Sequence, residues 1–189
     1  MISIRKATIN DAPFIALVIA EALGDDIMER NTTSICPDDE HRLLRLTDVA
    51  RADDTLYSWR HTLIAQDTQG TPIGGLIAYP GDNYIAMRNL TFEMVSELIT
   101  FDVSAMDAET QPGEYYLDSL AVLPQYRKQG IGSLLLQAGI KEARQIQCPA
   151  ILACAPENLG AKQLYQSLGF SHQGDLFIFG HPYLRMVAQ

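Results

Sequence analysis

The sequence predicts a mixed α/β fold, a central sheet of parallel and antiparallel strands with helices on both faces. Three observations carry this expectation. In the first half of the chain, Thr62 to Gln66, a turn at Asp67 to Thr71 containing Gly70, and Ile73 to Tyr79 form a hairpin signature. In the second half, Tyr115 to Val122, an amphipathic helix from Gly130 to Gln145, and Ala150 to Ala155 form a strand–helix–strand unit. Such a unit joins locally parallel strands through a crossover helix. The 189 residues are 47% hydrophobic and 20% charged, an ordinary globular composition that fits one domain over residues 1–189.

The elements follow in order. Ile2 and Ile4 alternate with Ser3 and Arg5, as in a short strand. A helix is expected from Ala12 to Leu23, with Asn10 or Asp11 as cap, Pro13 in the first turn and Gly24 at the end. Arg5 and Lys6 ahead of this apolar run, and Ala20-Glu21-Ala22 within it, imitate a secretion signal, but the cap chemistry and the early Glu21 favour the helix. Residues 25–55 read as acidic and irregular, with a helix around His41 to Ala50. Pro80-Gly81-Asp82-Asn83 breaks the strand pattern. Residues 84–112 then read as a helical insert, with Phe92, Val95, Leu98 and Ile99 on one stripe and Pro112-Gly113 at its end. Pro124 stops the strand that begins at Tyr115. In the helix from Gly130, Ile131, Leu134, Leu135 and Ala138 recur at helical spacing. Asn158 to Leu168 reads as a helix ended by Gly169. Phe177 to Phe179 and Tyr183 to Val187 read as a last strand pair around Gly180-His181-Pro182.

Charge and cysteine usage narrow the partners. The formal net charge of −9 argues against nucleic acid. From Val122 onward six Lys or Arg oppose three acids, so the first 121 residues carry −12. A basic half suits an anionic ligand and an acidic half a cationic one, and both also suit plain solvated surface. No apolar run approaches the ~20 residues that span a bilayer. Cys36, Cys148 and Cys154 have no metal-ligand spacing and no even count, which points to a reduced, cytoplasmic setting and no metal.

The chemistry concentrates in two motifs. Arg127-Lys128-Gln129-Gly130-Ile131-Gly132 follows a strand and opens a helix. The first turn of a helix leaves backbone N–H groups unpartnered at the positive end of the dipole, and glycines let a bulky anion approach them. A plain structural turn fits these residues as well. A P-loop does not, since Gly-Ile-Gly-Ser replaces Gly-Lys-Ser/Thr, and the dinucleotide fingerprint fails because Leu135 stands where its third glycine belongs. The second motif runs from Asn158 through Ala161 and Tyr165 to Gly169-Phe170. Two helical turns put Asn158 and Tyr165 on one face. Alone, it also fits a capping Asn, a core Tyr and a C-terminal Gly.

Taken together, the two motifs resemble those of the GNAT superfamily of acetyltransferases. Arg-x-x-Gly-x-Gly after Leu120-Ala121-Val122-Leu123-Pro124 looks like that family's coenzyme A pyrophosphate loop, and Asn-x-x-Ala-x-x-x-Tyr-x-x-x-Gly-Phe follows at the family's distance. The resemblance covers residues 115–170. It implies the GNAT fold, with about six or seven strands splayed between the fourth and fifth. It also implies acetyl-coenzyme A as donor, no metal, and an amine acceptor, whether small molecule, polyamine, lysine or peptide N-terminus. By the resemblance, Arg127, Lys128, Gln129, Gly130, Ile131, Gly132 and Ser133 hold the pyrophosphate, and Leu120, Ala121 and Val122 pair with the pantetheine arm. A backbone amide within Ser119 to Val122 polarises the thioester. Asn158, Ala161 and Tyr165 flank the donor, and Tyr165 protonates the departing thiolate. Many relatives place Glu five residues before the motif Asn, where this chain has Ala153, so Asp118 and Glu114 stand as candidate bases, acting directly or through water, with a water chain and no base as the alternative. Tyr84, Arg88 and Glu109 are candidates to line the acceptor pocket. A soluble monomer or homodimer without membrane or nucleic-acid partners is expected. The alternative activity is a non-catalytic acyl-coenzyme A sensor.

Overall fold

A computed structural model describes residues 2–27, 37–99 and 102–188. Its elements are β1 (Ser3–Lys6), α1 (Ala12–Ile27), α2 (Pro37–Arg51), β2 (Thr62–Gln66), β3 (Pro72–Pro80), α3 (Tyr84–Met94), β4 (Tyr115–Val122), α4 (Ile131–Gln145), β5 (Ala150–Cys154), α5 (Leu159–Ser167), β6 (Ser171–Ile178) and β7 (His181–Ala188). The strands form one seven-stranded sheet in the order β1-β2-β3-β4-β5-β7-β6. Among the described strands only β4 and β5 pair in parallel, because α4 crosses over between them.

Period-two alternation in the strands makes two cores, one on each face. Ile64, Ile77, Tyr79, Tyr116 and Ile151 meet α1, α2 and α3 on one side. Leu63, Leu76, Leu117, Leu152 and Met186 meet α4 on the other. Gly139 lets α4 lie close to the sheet, since a Cβ there would stand 2.8 Å from the ends of Leu76 and Leu117.

Several sequence expectations are corrected. Thr8, not Asn10 or Asp11, opens the first helical segment. Asp11 instead closes a capping box and takes a bidentate contact from Arg5 at 2.7 and 2.8 Å. α1 runs through Gly24 to Ile27; a glycine inside a helix costs about 1 kcal/mol, too little to end it. Leu134 is exposed, because the buried stripe of α4 is Ile131, Leu135, Leu136, Ile140 and Ala143, and Leu134 lies about 100° around the helix from Leu135. The insert is helical only to Met94, followed by short turns at Ser96–Leu98 and Val103–Ala105, although Phe92, Val95, Leu98 and Ile99 do share one core. The final strands are longer than expected. β6 is a mostly exposed edge with no apolar alternation to read, and the turn is Phe179-Gly180, both left-handed at φ 55° and 81°. Cys36 lies outside the described residues. No described helix is long and apolar enough to cross a membrane.

Candidate active site

The site begins with a ladder that stops early. β4 and β5 pair only at Tyr115–Ala150 and Tyr116–Ile151, then diverge. On its other side β4 keeps its antiparallel register with β3, except that Ile77 faces Ser119 and Ala78 faces Leu117. Asp118 is therefore the extra residue of a β-bulge. Its insertion is visible in the packing, since Leu117 and Leu120, three apart, both lean on the α4 side. The splay opens a cavity of about 430 Å³, walled by Asp118, Ser119 and Leu120 of β4, Ala153 and Cys154 of β5, and Asn158, Ala161 and Tyr165 at α5. Glu21 of α1 and Glu109 of the insert also border it.

A second concavity, about 360 Å³, lies at the head of α4 and meets the first at Leu120. Lys128 and Gly130 both have positive φ, 60° and 79°, which curls the loop back on itself ahead of Ile131. A Cβ on Gly130 would meet nothing within 4 Å, so the backbone there faces open space. Ala121, Val122, Lys128, Gly132 and Ser133 line this hollow. Gln129 does not; its amide reaches back to the Gln125 carbonyl at 3.3 Å. Arg127 borders the hollow but is held elsewhere: Nε donates to the Val122 carbonyl at 2.9 Å, and Nη2 pairs with Glu21 at 2.8 Å. Its charge is therefore shared with α1, and its place in the motif is to tie the loop to β4. A curled loop, a helix N-terminus and open space above a glycine fit a phosphate group.

Two of the cavity's carboxyls, the half-buried Asp118 and the buried Glu109, are held by hydroxyls and not by a cation. Asp118 accepts hydrogen bonds from the Tyr79 hydroxyl and, at 2.8 Å, from Ser119 Oγ. Burial pushes it up to about 6, and the two hydroxyls pull the other way. Glu109 is 6% exposed and accepts from Tyr116 Oη at 2.7 Å and Tyr84 Oη at 3.1 Å. Burial, then the charge of Asp118, pushes it up to about 7. Glu114 is different. Arg185 pairs with it at 2.6 Å, and Thr110 and Gln111 fill its remaining valences. It does not line the cavity, so the structure does not bring this candidate base to the site.

Tyr165, on α5, lines the same cavity as Asp118, on β4. Its ring packs edge-on to Phe170 at 6.1 Å, and burial, then the Cys154 thiol, pushes its hydroxyl up to about 12. It stays protonated across neutral pH, the state a proton donor needs. Asn158 caps α5 by accepting from the Ala161 N–H at 3.0 Å, which fixes the helix that carries Tyr165. Cys154 is buried, its thiol raised by burial and donating to the Ala155 carbonyl at 3.5 Å. It has the character of a packed thiol rather than a nucleophile. Of the insert candidates, Glu109 lines the cavity, Tyr84 supports it from behind, and Arg88 rests over the Tyr84 ring at 5.7 Å without reaching the wall. Sequence reasoning missed Glu21, Tyr79 and Tyr116, which carry no motif.

This fold, with its splayed strands and helix-head loop, is that of an acyltransferase. The chain belongs to the Acetyltransferase (GNAT) family, whose model matches residues 28–170. Family members move an acyl group from acyl-coenzyme A to an acceptor. Among solved structures the chain is similar to an acetyltransferase at 25% identity over 99% of this chain and 98% of that one, with a TM-score of 0.78. It shares its fold with an N-acetyltransferase from Staphylococcus aureus Mu50 at 21% identity, 98% and 100% coverage and a TM-score of 0.79. No curated protein sequence matches the chain significantly.

Proposed function

We propose that the protein is an N-acetyltransferase that moves the acetyl group of acetyl-coenzyme A to a primary amine by direct attack. The observation that carries this reading is the junction at Leu120 of two hollows, one shaped for an anion and one bearing carboxyls. In this reading the backbone from Lys128 to Gly132 and the Ser133 hydroxyl hold the pyrophosphate. Leu120, Ala121 and Val122 offer an unpaired strand edge to the pantetheine arm. A β4 amide between Ser119 and Val122 polarises the thioester oxygen as it gains charge.

The acceptor arrives as an ammonium, whose ordinary pKa is ~10.4, so it must lose a proton before it attacks. Asp118 takes that proton. The amine nitrogen bonds to the acetyl carbon as the carbon–sulfur bond breaks. Tyr165 gives its proton to the departing sulfur and recovers one from the nitrogen as the amide forms. Nothing in the step needs Cys154 or a covalent enzyme intermediate.

The test is release of coenzyme A thiol from acetyl-coenzyme A over a panel of primary amines, with longer acyl donors alongside. Turnover is expected with the acetyl donor. Gly130→Glu should abolish coenzyme A binding, because it places a carboxylate and a strained left-handed side chain where the anion sits. Unchanged affinity would remove the loop assignment. Binding without turnover on any amine would make the protein an acyl-coenzyme A sensor instead.

A further inference from the structure

Among the described residues, buried carboxylates come with a counter-cation, with the exception of Glu109, and the half-buried Asp118 on the same cavity also lacks one. Asp11 has Arg5 at 2.7 Å, and Glu114 has Arg185 at 2.6 Å. Glu109 and Asp118 have only hydroxyls: Tyr84 and Tyr116 on the first, Tyr79 and Ser119 on the second. No described Lys, Arg or His forms an ion pair with either. Arg88, the cation nearest in effect, lies over the Tyr84 ring. A buried charge without a cation is expensive, and proteins pair it or leave it for a ligand to pair. Both carboxyls border the same cavity, and its described lining contains no Lys, Arg or His at all. Tyr116, Tyr165, Phe179 and Tyr183 supply aromatic surface there, which suits a cation on an aliphatic stem.

In the function proposed above, on which this inference rests, the site's charge changes during the reaction. When Asp118 takes the ammonium proton it becomes neutral. Glu109 then remains as a buried carboxylate with two tyrosine donors, the charge of Arg88 at a distance and no ion-paired cation, unless the acceptor brings one. We infer that Glu109, delivered by the insert, is the acceptor's charge anchor, and that the acceptor is a small aliphatic amine with a second cationic nitrogen, a diamine or polyamine. One nitrogen is acetylated beside Asp118, and the other stays protonated against Glu109. The insert thereby acquires a role in specificity, and the cavity's 430 Å³ suits a flexible alkyl chain rather than a folded surface.

The experiment uses the purified full chain. Coenzyme A affinity is measured first by calorimetry; its absence would refute the function proposed above rather than this anchor. Thiol release is then followed with a series of α,ω-diaminoalkanes and with n-alkylamines of the same heavy-atom count. The expected result is a diamine preference in kcat/KM of about tenfold to a hundredfold, the worth of a charge-assisted contact. Glu109→Gln should bring the ratio to about one, through KM for the diamine, with coenzyme A affinity unchanged. Glu109→Asp, which keeps the charge on a shorter stem, should retain the preference and move its optimum to a longer diamine. Equal use of monoamines by the wild-type chain, turnover of neither series despite coenzyme A binding, or a diamine preference that survives Glu109→Gln would each overturn the inference.

Discussion

Asp118 and Tyr165 reach the cavity from different elements, one on a strand bulge and one on a helix, and the same burial leaves them in different protonation states. Burial raises both, which leaves Tyr165 protonated at neutral pH and places the ionisation of Asp118 near the working range. A base acts when ionised, so kcat/KM should rise with pH through about 6 to 7 as Asp118 and Glu109 lose their protons. In Asp118→Asn the rate should fall about a hundredfold or more and this acidic limb should change shape; a wild-type profile flat from pH 5 to 8 would remove Asp118 as base. Stability should run the other way. A carboxyl whose folded pKa is raised stabilises most below its unfolded value of ~4, and that contribution is lost as pH rises through the folded value. Asp118→Asn should therefore gain Tm relative to the wild type between pH 4 and 8. Tyr165→Phe should lower kcat by ~10²-fold and leave coenzyme A affinity alone, and equal turnover would remove its acid role. Tyr165 is legible in the sequence because it sits in a spaced motif. The choice between Asp118 and Glu114 is not, because both flank one strand in sequence. The bulge that aims Asp118 into the cavity and the Arg185 that occupies Glu114 are tertiary facts.

At the scale of elements, local chemistry makes the second half readable. β4 is legible at both ends because Pro112-Gly113 precedes its apolar run and Pro124 ends it. α4 begins one residue late only because Gly130 is the cap rather than the first turn. The insert is harder. Its helix stops at Met94, and the segment beyond is held by contacts distant in sequence, such as Tyr84 on Glu109 and the Phe177 N–H on Asp107. Gly81 is the hinge between insert and sheet. Its N–H donates to the Glu114 carbonyl at 2.9 Å, and a Cβ there would stand 2.2 Å from the Gln111 carbonyl oxygen. Backbone cannot yield as a side-chain tip does, so Gly81→Ala must displace the segment that carries Glu109. The expected cost is about 1–3 kcal/mol, as for other overpacked sites. Thermal denaturation should show it, with acceptor KM rising and coenzyme A affinity held. An unchanged Tm would mean that the segment leading from the insert back to β4 is free to move.

For the whole molecule the informative quantity is the division of charge. The first 121 residues carry −12 and contribute Glu21, Glu109 and Asp118 to the cavity, while the remainder, at +3, contributes one acid, Glu157, and the loop with Lys128. The sequence displays this division directly, but cannot tell solvated surface from a cavity wall, because that depends on where the β4–β5 splay opens. The division acts at two ranges. The acidic half attracts a cationic acceptor over distances comparable to the screening length, ~10 Å at 0.1 M salt and ~3 Å at 1 M. Glu109 acts at contact, behind protein, where salt reaches little. Raising the ionic strength should therefore raise KM for a diamine severalfold with kcat nearly constant, as long-range attraction is screened. The preference for diamine over monoamine should fall far less, because it comes from the buried contact. Steady-state kinetics across a salt series, run with both amines, separates the two. If the preference instead collapses in parallel with KM, selectivity comes from the surface field and not from the cavity floor.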